Sequence, residues 1–309
     1  MAPVNPSGRQ FVLESGRQQA TVTEVGAGLR TFTVGGQEVI DGYGEQEMCD
    51  VCRGALLLPW PNRIAGGVYE FGGRRHQTAL TEPSRQNAIH GLTRWSPWTV
   101  RNQRADSVRL SLLLHPQDGY PFTLALEVAY RLDAEGLTIE TTGTNVGTTR
   151  LPYGTGHHPY LTVGTPHLDE AWLRVPALMR LEADHRLIPT GRLIPVKQTA
   201  YDFLELRPVG DLQLDTAFAS VVPDADGRIR SVLQAPEGGR QVTVWMEPPY
   251  AYLMVFTGDA LEDAKRRRRS IAIEPMTCAP NAFQSGDGLR VLEPGQTLTT
   301  TWGISPAGL

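Results

Sequence analysis

Five short stretches of this 309-residue sequence hold side chains that can move protons or grip a polar molecule. In "LLLPWPNRIAGGVYEFGG" (56–73), Pro59 and Pro61 stiffen the backbone that presents Asn62 and Arg63. "NAIHGLTRWSPW" (87–98) crowds Asn87, His90, Arg94 and Trp95 together. "LPYGTGHHPYL" (151–161) carries His157, His158 and Tyr160. "QLDTAFASV" (213–221) sets Asp215 among apolar neighbours, and "IAIEPMTCAPNAF" (271–283) ends an apolar run on Glu274.

His90 after "NAI" and Glu274 after "IAI" are both expected to be at least partly buried. Burying an ionisable group is costly unless it is paired or used. Each residue alone also admits a plain structural account. Asp215 could cap a turn, Glu274 could neutralise a buried arginine, and His90 could fill the core. Together they suit general acid–base catalysis, because histidine titrates near neutrality and a dry site raises a carboxyl pKa. Arg63, Arg94, Asn62, Asp215 and Trp95 are then left to hold a polyhydroxylated ring.

Other chemistries lack their signatures. There is no G-x-S-x-G elbow, no Walker loop and no G-x-G-x-x-G after a strand. "HHPY" lacks the HExxH spacing, and neighbours on an extended chain point to opposite faces. His157 and His158 are therefore not expected to share a metal, and no metal or cofactor is expected. Cys49 and Cys52 form a CxxC, but no second pair completes a zinc site and no βαβ context supports a redox motif. They read as ordinary thiols. With Cys278 they make three, an odd number that fits a reducing cytoplasm rather than a disulfide scaffold.

The elements that must position these residues read as strands. In "FTLALEVAYRL" (122–132), Phe122, Leu124, Leu126, Val128, Tyr130 and Leu132 alternate with smaller or charged residues, which predicts a strand with one buried face. Residues 107–114, 136–145, 240–246 and 296–305 read the same way, with turn signals between them. No long segment has helical period and caps. Regular strands and turns without linker, repeat or composition shift predict one all-β domain, a sandwich or barrel, over residues 1–309. A net charge of −4 argues against nucleic acid as a partner. The opening "MAPVNPSGRQFVLESGRQ" shows no apolar leader, and no stretch approaches the ~18 apolar residues of a membrane helix. The run "KRRRR" (265–269) is expected to be a solvated loop, with a phosphate- or sulfonate-binding lip as the lesser reading.

Taken in order, "PWPNRIAGGVYEFGG", "NAIHGLTRW", "GHHPYL", "LDTAF" and "IAIEPMTCAPNAF…VLEPGQT" resemble the aldose 1-epimerase (galactose mutarotase) family over nearly the whole chain. The resemblance implies a β-supersandwich of antiparallel strands. It implies an isomerase that opens and recloses a cyclic aldohexose between its α and β anomers, with a small sugar as partner and a monomer or weak homodimer as assembly. Position by position, it implies Glu274 as base and His158 as acid, since His158-Pro159-Tyr160 matches the family's His-x-Tyr. It implies His90 as the second histidine of the ring-oxygen region, and Arg63 and Asp215 as sugar ligands. Asn62, Arg94, Trp95 and Tyr160 would complete the sugar cleft, with Trp95 offering a flat face to the ring.

One departure leaves the sugar open. Where galactose mutarotases commonly carry Gly-Gly after the second histidine, this chain has "HGLTRW". That pattern is closer to bacterial mutarotase-like proteins, one of which handles a sulfonated glucose. An anionic hexose, held by Arg63, Arg94 and the 265–269 run, is the alternative substrate. A carbohydrate-binding protein without turnover is the alternative function, and keeping both Glu274 and His158 argues against it.

Overall fold

Alternating burial builds two large antiparallel sheets that meet across one apolar layer. The computed structural model describes residues 4–309. Residues 1–3, at the head of the stretch read for a leader, lie outside the described residues. Among the described residues no helix is long and apolar enough to cross a membrane.

The nine-stranded sheet is centred on Leu124–Asp133, Gly136–Asn145, Thr297–Ala307 and Gln241–Met246. Along Leu124–Asp133, Leu124, Leu126, Val128, Tyr130 and Leu132 are buried, as the alternation predicts. Burying one such aliphatic side chain contributes about 1.5–3 kcal/mol. The strand starts two residues later than the pattern, at Leu124 instead of Phe122.

The eight-stranded sheet runs in the order Pro189–Pro195, Ala177–Ala183, Asp215–Val221, Tyr252–Phe256, Ile271–Met276, Gly156–His157 and Leu56–Leu57. Tyr160–Leu161 also pairs with Ile271–Met276. Ile271, Ile273, Leu253, Val255 and Phe218 face the core. The other face carries Glu274, with Met254 directly across from it on the next strand. Asp215 pairs with Phe256, which puts it on that same face one strand further and one step along.

The register also fixes the histidines. Gly156 pairs with Met276 and Tyr160 with Ala272, so His158 falls opposite Glu274. The ladder breaks there because Pro159 has no N–H to give. His158 pairs outward instead: its N–H donates to the Ala55 carbonyl at 3.0 Å, and its carbonyl accepts from Gly54 at 2.9 Å.

Residues 265–269 form a surface segment, with Lys265, Arg267 and Arg269 exposed and Arg266 and Arg268 half-buried. They lie between the strands Tyr252–Phe256 and Ile271–Met276, and each of the four arginines has an acceptor within the protein. Arg266 bonds the Gly42 carbonyl at 2.9 Å, and Arg268 bonds Asp169 and Asp259, each at 2.7 Å. Arg267 bonds the Leu261 carbonyl at 2.6 Å, and Arg269 bonds Glu38 at 2.9 Å. Asp41, 2% exposed, also meets Arg266 at 3.4 Å and Arg269 at 3.5 Å. Each of the four arginines is thus engaged by an acceptor of the protein itself, which weighs against an anion-binding lip.

Candidate active site

Two of the five chemistry-bearing stretches form a single structural unit. Arg63–Ala65 pairs antiparallel with Asn87–Ile89, which brings Asn62 and Arg63 beside His90. Asn62 and His90 both sit in the left-handed region, at φ 54° and 62°. That turns the chain at each strand end, in a region uncommon for side-chain-bearing residues but one in which Asn and His are enriched. Gly91 follows at φ 71°, with the Leu58 carbonyl oxygen 1.9 Å from where a Cβ would stand, so no side chain fits there.

The turn orients the His90 ring. The Asn62 N–H donates to His90 Nδ1 at 3.2 Å, and the His90 N–H donates to the Asn62 carbonyl at 2.8 Å. An accepting Nδ1 leaves the proton of neutral His90 on Nε2. Burial, then the charges of His158, Arg94 and Arg63, hold His90 well below the usual histidine value. It is a neutral hydrogen-bond donor, set edge-on to the His158 ring at 5.3 Å between centroids.

His158 and Glu274 meet inside the cleft. His158 Nε2 lies 3.3 Å from Glu274 Oε1, with side chains 7% and 2% exposed. The other polar atoms of both groups, His158 Nδ1 and Glu274 Oε2, are buried without a hydrogen-bond partner of good geometry. Burial, and then the charge of Asp215, push the Glu274 carboxyl well above the usual carboxylate value, against the pull of Arg63. Burial pushes His158 down to about 3, its own backbone offsets part of that, and the charges of Arg94, Arg53 and Arg63 add to it. Both shifts favour the uncharged form of each group.

Tyr160 braces this histidine. Its ring stacks on His158 at 5.0 Å and 18°, while the Arg53 guanidinium lies 4.5 Å from the ring centroid. Its hydroxyl donates to the Val51 carbonyl at 3.3 Å. His157 points the other way. Its Nε2 and Thr141 Oγ1 share a 3.1 Å hydrogen bond, and its ring packs on Trp302 of the opposite sheet.

Arg63, Asn62, Asp215, Arg94, Tyr160 and the three groups Glu274, His158 and His90 line one cleft of about 560 Å³. That size is ordinary for a small-molecule site. Arg63 is held by Glu82, whose two carboxylate oxygens accept from Nε and Nη2 at 2.9 Å each. Burial raises the Asp215 carboxyl, and the Arg63 charge opposes that. Arg94 reaches the cleft, with Nη1 2.7 Å from Cys52 Sγ. Trp95 does not reach it and corrects the expectation of a ring-facing aromatic. Arg94 and Trp95 occupy the middle of the turn closed by the Ser96 N–H on the Thr93 carbonyl, and the Arg94 guanidinium carbon lies 5.7 Å from the Trp95 ring centroid. Trp95 is 52% exposed and lies outside the cleft lining.

Sequence reasoning missed several residues here. Glu82 sits in "TEPSRQ", which reads as a solvated turn until the pairing of Arg63 with Ile89 is known. Cys52 reads as an ordinary thiol but lines the cleft beside Arg94. Met254 and Phe256 form an apolar floor that only the strand register reveals. Asn281 bonds the backbone on both sides of Ile64: its N–H donates to the Arg63 carbonyl at 2.7 Å, and its Oδ1 accepts from Ala65 at 3.0 Å.

Comparison with known proteins places this geometry. A model of the aldose 1-epimerase family matches residues 9–305. The uncharacterized protein YihR of Escherichia coli K12 is 35% identical over 291 residues, covering 94% of this chain and 91% of that one. A maltose epimerase of Levilactobacillus brevis is 30% identical over 247 residues, covering 73% and 70%. The solved structure of a GalM/aldose epimerase homologue from C. elegans superposes with a TM-score of 0.85 at 19% identity, covering 96% and 98%. The chain belongs to the aldose 1-epimerase family, isomerases that act on sugars.

Proposed function

We propose that this protein interconverts the α and β anomers of a free aldohexose, with Glu274 as base and His158 as acid. The observation that carries the proposal is the 3.3 Å approach of His158 Nε2 to Glu274 Oε1 inside a cleft lined by hydroxyl-binding groups. The anomeric hydroxyl and the ring oxygen share one carbon. A base for one and an acid for the other must therefore lie close together, and the 3.3 Å approach of these two groups supports that.

The proton count closes. Ring opening starts with a proton on His158. Glu274 takes the proton of the anomeric hydroxyl, and the O–H electrons form the C1 carbonyl. The bond from C1 to the ring oxygen breaks, its pair stays on that oxygen, and His158 protonates it. The aldehyde rotates about C1–C2. Closure on the other face returns the first proton to His158, and Glu274 reprotonates O1. His90 Nε2–H supports the ring-oxygen end, and Arg63 and Asp215 hold hydroxyls. Each proton-transfer group of this kind contributes about 10²–10⁴-fold.

The three free thiols support a reducing cytoplasm, and the core shared by both sheets supports one domain. A monomer or weak homodimer fits a cleft built from one chain.

The test is anomer exchange by NMR on fresh α-D-glucose and α-D-galactose, with maltose added because one relative is named a maltose epimerase. Faster exchange with catalytic protein supports the reading, and binding without faster exchange overturns it in favour of a binding protein. An anionic hexose is the second reading. It is favoured by Arg94, which among the described residues meets a thiol and no carboxylate. Glucose 6-phosphate or a 6-sulfonated glucose exchanged faster than the neutral sugars would establish it.

A further inference from the structure

We propose that Glu82 is a positioning residue for the reaction: it holds the Arg63 guanidinium in the one orientation that presents its free N–H groups to sugar hydroxyls. This rests on the reading of Arg63 as a sugar ligand.

Arg63 is 7% exposed and carries five N–H donors. Nε and Nη2 each donate to Glu82 at 2.9 Å, and Nη1 donates to Asn62 Oδ1 at 3.3 Å. The side-on fork is thereby closed, and two N–H groups remain for a ligand. The charge of Asp215 also pulls on Arg63 from inside the cleft. Without Glu82 the guanidinium would turn toward Asp215, and the two groups that should meet the sugar would meet each other.

Glu82 is itself anchored from outside the cleft. It also accepts from Arg85 Nη1 and Asn87 Nδ2, each at 3.0 Å. Its N–H donates to the Asn87 carbonyl at 2.9 Å, which closes the 82–87 turn. Arg186, at the tip of the hairpin formed by Ala177–Ala183 and Pro189–Pro195, locks that turn. It donates to the carbonyls of Arg85 at 2.9 Å and Gln86 at 2.7 Å, and to Asn87 Oδ1 at 3.0 Å. A carboxylate held on so many sides is rigid, which is what aiming a second group requires. Burial would raise Glu82, but the hydrogen bond and charge of Arg63, with Asn87 and Arg85, bring it below the usual value.

The test is a double-mutant cycle of Glu82→Gln and Arg63→Ala, scored on whichever sugar shows exchange. Glu82→Gln should raise KM about tenfold, the effect of one charged hydrogen bond, with kcat within about threefold. In the Arg63→Ala background, Glu82→Gln should add nothing to KM, because its whole effect passes through Arg63. Additive effects, or an unchanged KM in Glu82→Gln while Arg63→Ala raises it, overturn the role of Glu82. An unchanged KM in Arg63→Ala overturns the underlying reading of Arg63 and, with it, this proposal. If Glu82→Gln does not fold, Glu82→Asp decides in the same cycle. Its shorter carboxylate should give a raised KM that again vanishes without Arg63, and a wild-type KM would overturn the proposal.

Discussion

His157 and His158 are consecutive, both almost wholly buried, and both pushed down to about 3, yet they belong to different regions of the molecule. His157 enters the layer between the sheets. Burial alone depresses it, Thr141 satisfies its Nε2, and Trp302 packs its ring. His158 enters the cleft, where its Nε2 meets another titratable group. Depth of burial and depression of pKa therefore do not separate a packing histidine from a working one. Orphaned polar atoms do not either, since Trp60 Nε1 and Tyr153 Oη are also buried without partners. The separating feature is an acid and a base within reach of each other and of a cavity.

The largest effect that sharpens this contrast is on the cleft side. Glu274→Gln keeps the shape but cannot take a proton, and it should lower kcat by about 10²–10⁴-fold with an unchanged melting temperature. Anomer exchange and calorimetry check both halves. Next, Arg63→Ala should act on binding: the loss of a charged hydrogen bond, about 1.5–3 kcal/mol, raises KM by one to two orders of magnitude. An effect on kcat alone would move Arg63 out of the sugar-binding role.

A smaller effect belongs to the layer between the sheets. His157→Asn should cost about 1–3 kcal/mol of stability, read by denaturant unfolding, with kcat within about twofold. The unfolded chain protonates His157 below about 6.5, whereas the folded chain resists protonation down to about 3. Folding therefore loses stability through this group as pH falls across that window. The gap between wild type and His157→Asn should narrow on going from about pH 8 to pH 4, and a constant gap would contradict burial as the cause. The smallest effect is expected at Trp95. Trp95→Ala should change KM by less than about twofold, as for other exposed side chains. A larger rise would put the ring back over the sugar.

The strands were legible because one buried face imposes alternation, and Ser107–Leu114 and Gly136–Asn145 begin and end where the pattern does. The opposed faces of His157 and His158 follow from the same period of two, and the ladder on either side of Pro159 keeps that register. The position of Trp95 was not legible because sequence does not state how a turn directs its side chains; its ring lies by Arg94, outside the cleft lining. Glu82 was invisible because its partner lies 19 residues away, across a strand pairing too short to show a pattern. The 265–269 segment is at the surface, but the partners of its arginines were not legible because they come largely from remote segments, including Glu38, Asp41 and Asp169.

The most direct test is a side-by-side measurement of kcat for anomer exchange in His158→Asn and His157→Asn, each with its melting temperature. The acid–base pair predicts that His158→Asn loses about 10²–10⁴-fold in kcat at a wild-type melting temperature, while His157→Asn melts earlier and keeps its kcat. The reverse result, turnover lost in His157→Asn and kept in His158→Asn, would contradict it.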